Sequence, residues 1–186
     1  MKHAYQAAYG GMRLRPLEAG DIEQLRIWRN DPKQTRYLRA LPEITPEMQR
    51  QWYGRYLETP GDYCFAIEET ETLHRMVGSV SLYDVQGSCA EVGRIQIGDP
   101  AAHHRRLADK AMVLAMAIGA HRLGIRQFCA TVHQDNLAAR TVYDRIGFAT
   151  VGTAPSPSVS GGMENVIELT AERLTEVNPW IREIQY

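Results

Sequence analysis

The sequence has 186 residues, a formal net charge of −1 at pH 7, and 44% hydrophobic against 23% charged residues, which suits one globular domain. The near-neutral charge argues against nucleic acid or an anionic membrane surface as the partner. The three cysteines Cys64, Cys89 and Cys129 lack C-x-x-C spacing, which argues against disulfides and a cysteine-based zinc site and favours a reducing cytoplasm.

The first half of the chain predicts one strand followed by two helices. Met12–Arg15 alternates apolar and charged residues, as a strand does. Asp21–Asn30 carries apolar residues at helical spacing and is stopped by Asp31-Pro32. Thr45 and the Pro-Glu that follows it are typical of a helix start, and that helix is expected to end near Leu57.

A meander of three strands is predicted next. Tyr63–Glu68 and Met76–Tyr83 are rich in strand-forming residues and are separated by a polar turn, so they predict an antiparallel hairpin. Cys89–Ile97 then forms the third strand.

The apolar run Ala111–Ala120 is too short to cross a bilayer, and the N-terminal MKHAYQAAYGGM lacks the apolar core of a signal peptide. We therefore expect a cytoplasmic protein.

The second half alternates helices and strands. In chain order it predicts a buried helix Leu107–Leu123, a strand Gln127–His133, a helix Leu137–Ile146, strands Phe148–Gly152 and Met163–Leu169, and one or two short helices in the tail Ala171–Tyr186. The order β-α-α-β-β-β-α-β-α-β-β predicts an α/β fold: a mixed, mainly antiparallel central sheet flanked by helices on both faces.

The stretch Asp135–Phe148, DNLAARTVYDRIGF, contains the most specific pattern of the chain. Asn136 is placed to open a helix, and Tyr143 follows it seven residues later on the same helical face. Gly147 then ends the helix before an aromatic strand start. A polar pair held on one face beside a strand is able to contact one ligand.

This pattern resembles the C-terminal half of the GNAT superfamily, the acetyl-CoA-dependent N-acetyltransferases. The segments Glu91–Asp99 and Gly161–Leu169 are similar to the family's central strand and closing strand, and the resemblance spans about Met12 to Thr170. It implies a single N-acetyltransferase domain over 1–186 with a helical tail from 171. It also implies a V-shaped split between two central strands where acetyl-CoA binds as co-substrate.

The family's pyrophosphate loop, Arg/Gln-x-x-Gly-x-Gly/Ala, is only partly matched. His103 stands at the Arg/Gln position, Arg106 at the first glycine and Ala108 at the last position, where it fits. Arginine lacks the conformational freedom of glycine, and its side chain could fill the phosphate cradle. Alternatively, the cluster HHRR could bind phosphates through its side chains. The cofactor-binding residues implied by the resemblance are Ile95, Gln96, Ile97, His103, His104, Arg105, Arg106, Leu107, Ala108 and Asn136.

Acetyl transfer to an amine needs a neutral amine and a proton for the leaving thiolate. The resemblance places Tyr143 at the sulfur as general acid, although a packing role is the alternative. Glu91 is the first candidate for the base, because partial burial can raise the pKa of a carboxylate toward neutral pH. His133 is the second candidate, with a suitable ordinary pKa. We expect Asn136 to contact the cofactor, to cap its helix, or to do both, and Asp109 to point outward from the loop.

The run Trp28-Arg29-Asn30-Asp31-Pro32 resembles the GNAT branch that acetylates amino sugars on nucleotide diphosphates. The branch that acetylates ribosomal-protein N-termini is similar over the rest of the chain. The residues expected to bind the acceptor are Trp28, Arg29, Asn30 and Tyr83, with Arg36, Tyr37 and Arg39 as further candidates for an anionic acceptor. A solvated helix end with a buried Trp28 is the alternative for this run.

The predicted function is direct attack of a primary amine on the thioester, with no covalent enzyme intermediate. The acceptor is expected to be an amino sugar nucleotide or a protein N-terminus. The competing hypothesis is a non-catalytic GNAT-fold binding or regulatory module whose pyrophosphate loop is degenerate at Arg106. No metal site and no nucleic-acid or membrane partner are expected. The apolar residues of the tail are expected to pack either on their own domain or on a partner, which would form a homodimer.

Overall fold

The structure is a computed structural model that describes residues 2–32, 42–103, 105–157 and 161–186. The candidate residues His104, Arg36, Tyr37 and Arg39 lie outside the described residues. Across those four ranges, no helix is both long and apolar enough to span a lipid bilayer.

In the described part of the chain, eight strands form one sheet in the order β1-β2-β3-β4-β5-β6-β8-β7. The strands are β1 Ala7–Tyr9, β2 Met12–Pro16, β3 Tyr63–Glu69, β4 Arg75–Gln86, β5 Cys89–Ile97, β6 Gln127–His133, β7 Ala149–Pro155 and β8 Met163–Thr170. Only β5 and β6 pair in parallel, and every other neighbouring pair is antiparallel. The predicted mixed, mainly antiparallel α/β fold is confirmed.

Five α-helices flank this sheet within the described residues: α1 Ile22–Arg29, α2 Pro46–Glu58, α3 Leu107–Arg122, α4 Leu137–Ile146 and α5 Ala171–Val177. The predicted caps are present at two of them. Thr45 accepts a hydrogen bond from the Met48 N–H to open α2, and Asn136 accepts one from Ala139 to open α4. The 3₁₀ turn Pro179–Glu183 follows α5, so the tail holds two short helical segments, within the one or two predicted.

The two faces of the sheet bury separate clusters because β3 alternates. Its residues Phe65 and Ile67 belong to the large core under α3, whereas Cys64 and Ala66 belong to a smaller cluster under α1 and α2. Helix α3 is buried along nearly its whole length, as its apolar sequence predicts. The helices α1 and α2 cover the other face less completely, and this leaves room for a cavity.

Strand β5 changes its alternation in the middle. Ala90 and Val92 belong to the α3 core, and after a bulge Ile95 and Ile97 pack against that same core. Arg94 is the residue that absorbs the bulge, with a left-handed φ of 50°. Because of the bulge, Gln96 and Arg94 both lie on the α1/α2 face.

The short strand β1 was not predicted from the sequence. It pairs with β2 around the turn Gly10-Gly11, and both glycines have positive φ. The C-terminal segment closes this edge of the sheet, because Ala8 exchanges two backbone hydrogen bonds with Gln185 at 2.8 and 3.0 Å. Strands β4 and β7 also extend further than predicted, to Gln86 and Pro155.

Candidate active site

The sheet opens between its two parallel strands. Strands β5 and β6 pair only where Cys89, Ala90 and Glu91 face Gln127, Phe128 and Cys129. Beyond Glu91, β5 continues to Ile97 and β6 to His133 without a ladder between them. Over Val92–Ile97, the edge of β5 that faces β6 therefore has no strand partner among the described residues, although the opposite edge pairs with β4. An extended ligand can use such an edge as an added strand.

Tyr143 lies on α4 beside this split. It is 6% exposed, and its ring packs edge-on against Phe148 with the centroids 5.2 Å apart. Its hydroxyl makes no hydrogen bond within the described residues, and the hydroxyl oxygen is not completely buried. Burial, and to a smaller extent the Glu91 charge, raise the pKa of Tyr143 well above its ordinary value. The phenol therefore stays protonated and keeps a proton available to donate.

Glu91 and Tyr83 form a hydrogen-bonded pair at the last rung before the split. Tyr83 donates its hydroxyl to Oε1 of Glu91 at 2.6 Å, across paired positions of β4 and β5. Burial and this bond raise the pKa of Tyr83. The guanidinium of Arg94 lies 4.0 Å from the centroid of the Tyr83 ring. The second oxygen of Glu91 accepts no hydrogen bond from the described residues, so it is open to a proton or an amine.

The other base candidate, His133, lies at the far end of β6. It is four residues past Cys129, the neighbour of Glu91, which places it about 13 Å further along the strand. Its Nδ1 accepts a hydrogen bond from the Asp135 N–H at 3.2 Å, and the Asp135 carboxylate lies 3.9 Å away. The two predicted bases thus occupy separate positions, and Glu91 is the one beside Tyr143.

Asn136 caps α4 as expected, with its Oδ1 accepting from the Ala139 N–H at 3.1 Å. Its amide Nδ2 makes no hydrogen bond within the described residues and remains able to donate to a ligand. The capping and the cofactor-binding hypotheses are therefore compatible.

Arg106 keeps the backbone shape that glycine would have at its position. Its φ and ψ are 55° and 30°, in the left-handed region, where an arginine is disfavoured by about 1 kcal/mol or more. It is the N-cap of α3 but makes no side-chain cap bond. The N–H groups of the first turn, Leu107 to Asp109, consequently have neither an intrahelical partner nor a capping side chain, which suits an anion.

The Arg106 side chain pairs with an acidic residue of the first turn of α3. It donates from Nε and Nη2 to Asp109 Oδ2 at 3.1 and 2.9 Å, and Arg145 of α4 donates to the same oxygen at 2.6 Å. Asp109 is 7% exposed, so our expectation that it points outward was wrong. The guanidinium groups of Arg106 and Arg145 compensate the buried negative charge of Asp109 and offset the repulsion that this charge would exert on a phosphate.

The remaining loop residues are tied to the protein around them. The ring Nε2 of His103 lies 3.1 Å from the Ile97 carbonyl, and Arg105 donates to the Thr72 hydroxyl at 2.6 Å. Leu107 is buried and Ala108 is half-buried at the start of α3. Because Arg105 and Arg106 are both engaged, the open backbone N–H groups are better placed than these side chains to hold a phosphate.

The predicted cofactor residues of β5 divide between the two faces of the sheet. Ile95 and Ile97 direct their side chains to the α3 core, and they lie on the part of β5 that pairs with β4 but not with β6. The side chain of Gln96 lines the cavity on the opposite face. Any contact of Gln96 with a ligand in the split would therefore be made by its backbone.

A cavity of about 730 Å³ lies between β4 and β5 on one side and α1 and α2 on the other. Its floor is polar, with Ser79, Ser81 and Gln96 from the strands. Its charged wall residues among those described are Arg29, Arg55, Asp62 and Arg94. Its volume is in the range of pockets that enclose small molecules. Arg94 links this cavity to the Glu91 pair, because it lines the cavity and also stacks on the ring of Tyr83.

The four predicted acceptor residues do not all line this cavity. Arg29 does, whereas Trp28 is buried with its indole against Gly98 at the end of β5. Asn30 uses its side-chain amide in two 2.9 Å bonds with the backbone of Ile44 and so brackets the start of α2. Tyr83 belongs to the Glu91 pair. The local structure thus gives Trp28 and Asn30 packing and bracing contacts.

We did not predict from the sequence the polar floor of the cavity or its Arg94–Asp62 ion pair, which has a 2.7 Å contact. One signal was available: Ser79 and Ser81 alternate with Val80 and Leu82, which indicates a strand with a polar face turned toward helices. Arg94 could not be placed in the same way, because the bulge reverses the alternation after Gly93. Among the described residues, no cluster of histidine, cysteine or acidic groups is arranged to hold a metal.

The fold and the split define an acyl-CoA-dependent transferase, and comparison with protein families agrees. Residues 12–149 match the family described as the acetyltransferase (GNAT) domain, so the chain belongs to the GNAT family of N-acetyltransferases. A comparison with the sequences of curated proteins gives no match.

Solved structures share this fold at low identity. A spermidine N-acetyltransferase from Vibrio cholerae, solved with CoA and spermine, superposes with a TM-score of 0.76 at 17% identity over 88% of this chain and 98% of that one. A GCN5-related N-acetyltransferase from Brucella melitensis gives a TM-score of 0.78 at 18% identity over 98% and 86%. At these identities the likeness shows the fold alone.

Proposed function

We propose that the protein moves an acetyl group from acetyl-CoA to a primary amine by direct attack. The observation that carries this proposal is the meeting, at the split, of a protonated Tyr143 whose hydroxyl has no described partner with the Glu91–Tyr83 pair. The two groups supply what the reaction needs, namely a proton donor and a proton acceptor.

The residues would divide the work as follows. Glu91 accepts the proton that the attacking amine must lose, directly or through a water, while Tyr83 holds its carboxylate in place. Tyr143 donates its proton to the sulfur as the carbon–sulfur bond breaks and the carbon–nitrogen bond forms. Tyr143 is protonated at neutral pH, as any tyrosine of ordinary pKa is, and because burial raises its pKa and weakens it as an acid, the donation depends on its position at the sulfur.

The chain offers three features that fit acetyl-CoA, which would supply the thioester. The first-turn N–H groups of α3 are open to a diphosphate, and the left-handed Arg106 preserves the loop backbone beside them. The unpaired edge of β5 suits the amide groups of the pantetheine arm. Asn136 has a free amide donor at the start of α4.

The acceptor would occupy the cavity under α1 and α2. An amino sugar nucleotide or a protein N-terminus remains the proposed acceptor type, and the cavity volume of about 730 Å³ favours the small molecule. The open rim at the exposed Arg55 leaves a path into the cavity from solvent.

Calorimetric titration of acetyl-CoA into the purified protein tests the proposal, with desulfo-CoA and ATP as controls, followed by an amine-acceptor screen. We expect micromolar affinity that ATP does not reproduce, because the pantetheine arm pairs with β5. Absence of heat at high ligand concentration would instead favour the competing hypothesis, a non-catalytic module with a degenerate loop.

A further inference from the structure

The charge of the cavity under α1 and α2 limits which amines it can accept. The charged lining residues that the structure describes are three arginines, Arg29, Arg55 and Arg94, and one acid, Asp62. Asp62 accepts a hydrogen bond from Arg94 at 2.7 Å, so that pair is internally compensated. The described lining therefore carries an excess of positive charge.

Of the arginines that line the cavity, Arg29 and Arg55 have no ion-pair partner among the described residues, and Arg55 is exposed to solvent. Arg29 is the one whose unpaired charge is also partly removed from water. It is half-buried at the last position of α1, and its guanidinium forms no hydrogen bond or ion pair with any described residue. Burial, followed by the nearby Arg94 charge, lowers the pKa of Arg29. Other arginines of the same region are paired: Arg26 with Glu23, and Arg50 with Glu47. A desolvated guanidinium without an anion is costly unless a ligand supplies one.

The rest of the cavity suits a compact, uncharged body attached to that anion. Trp52 and Tyr56 stack with their ring centroids 5.7 Å apart and form an apolar wall. Gln49, Ser79, Ser81 and Gln96 offer neutral hydrogen-bonding groups. Only the paired Asp62 is available among the described lining residues to receive an ammonium group, so a polyamine would meet more like charge than opposite charge.

We infer that the acceptor is an amine that carries its own anionic group, a phosphate or a carboxylate, and that this group binds Arg29. The inference rests on the proposed function for the site, and it adds the substrate class. The amine end of such a molecule would extend toward Arg94, the lining residue that stacks on Tyr83 of the Glu91 pair. A guanidinium group forms bidentate hydrogen bonds with phosphate and with carboxylate, so the inference specifies an anionic group that can be either of the two.

The test is calorimetry with two matched pairs of ligands on protein saturated with CoA, so that the loop of α3 is not available to phosphate. Glucosamine and glucosamine 6-phosphate differ by a phosphate, and putrescine and ornithine differ by a carboxylate. We expect the anionic member of at least one pair to bind about tenfold tighter or more. The reason is that only the anionic ligand forms a charge-assisted hydrogen bond with Arg29. Which pair shows the difference identifies the anion.

Variants locate the effect. Arg29→Met should abolish the difference within the pair, and Arg29→Lys should retain part of it. Arg50→Met, which removes an exposed guanidinium of α2 outside the cavity, should leave the difference unchanged. Circular dichroism and an unchanged acetyl-CoA affinity establish that each variant is folded.

Equal affinity within both pairs, tighter binding of putrescine, no binding of either anionic ligand at millimolar concentration, or full retention of the difference in Arg29→Met would each overturn the inference. Failure of the proposed function looks different, because it appears in the acetyl-CoA titration of the same samples. Preferential acetylation of spermidine would preserve the acetyltransferase and reject the anionic acceptor.

Discussion

In Tyr143 the aromatic ring is buried, whereas the hydroxyl group is available to hydrogen-bond a ligand. The ring is enclosed against Phe148, while the oxygen has no hydrogen bond within the described residues. Because the hydroxyl makes no such bond, its removal should cost the fold little stability. Its removal should cost activity only if the hydroxyl takes part in the reaction. Catalysis and stability can therefore be separated at this position.

Tyr143→Phe is expected to lower kcat by about 100-fold or more, since it removes a general acid. Affinity for acetyl-CoA and the free energy of unfolding should change little. Steady-state kinetics, acetyl-CoA calorimetry and urea unfolding check the three quantities. Tyr53→Phe is the control, because its hydroxyl bonds to the Leu17 carbonyl away from the split. Normal turnover in Tyr143→Phe would remove this tyrosine from the mechanism.

Arg106 allows a second separation, between a side chain and the backbone it stands on. Arg106→Gly and Arg106→Ala both lose the contacts with Asp109, but only glycine adopts a φ of 55° without strain. We expect the glycine variant to be more stable than the alanine variant by about 1 kcal/mol. Urea unfolding of the two variants measures the difference.

Both Arg106 variants should still bind acetyl-CoA, because the proposed phosphate contacts come from backbone N–H groups. Arg145 continues to pair with Asp109 at 2.6 Å in each of them. An alanine variant as stable as the glycine variant would mean that the loop does not hold the left-handed conformation in solution.

At the scale of elements, α1 is fixed to the sheet by the contact between Trp28 and Gly98. A Cβ at Gly98 would overlap the indole ring of Trp28. Gly98 follows β5 directly, and its N–H bonds to the Val77 carbonyl at 2.9 Å, so the backbone has little freedom to retreat. The position of α1, and with it Arg29, depends on this close approach.

Gly98→Ala is expected to destabilise the protein by about 1–3 kcal/mol through overpacking. Gly54→Ala is the matched control: it lies exposed within α2 with nothing near its added methyl group, and it should stabilise by about 0.5–1 kcal/mol. Thermal and urea unfolding measure both changes. A neutral Gly98→Ala would show that α1 packs differently from this structure.

The elements were largely predictable, and the exceptions have physical reasons. Helix α4 was placed correctly because Asn136 and Gly147 are strong local signals for its two ends. Strand β1 is only three residues long, too short for alternation to show. The Trp28–Gly98 contact and the polar cavity depend on residues distant in the chain, and the burial of Asp109 depends on Arg145 of another helix. Local patterns carry no information on such pairings.

At the scale of the whole molecule, burial of tyrosines links folding to alkaline pH. Tyr56 and Tyr143 are 4% and 6% exposed, and burial raises the pKa of both. In the unfolded chain they ionise near a pH of about 10. Between that value and their folded pKa, the native state holds protons that the unfolded state has lost, so stability must fall as the pH rises.

We expect the free energy of unfolding to decrease above a pH of about 10, by up to about 1.4 kcal/mol per pH unit for each of these tyrosines. Urea unfolding between pH 8 and 11, with tyrosinate absorbance recorded on the folded protein, measures the effect. Tyr143→Phe should show a shallower decrease. Ionisation of every tyrosine near pH 10 without unfolding would contradict the buried environment described for them.

The hydrogen bonds between Ala8 and Gln185 bring the two ends of the chain to one edge of the sheet. This edge is four strands from β5, about 19 Å away from the split. A short covalent linker could thus join the segments around Ala8 and Gln185 without disturbing the site. The order in which the chain is synthesised is one of several that this architecture would accept, and circularly permuted forms opened at a surface turn should assemble the same site.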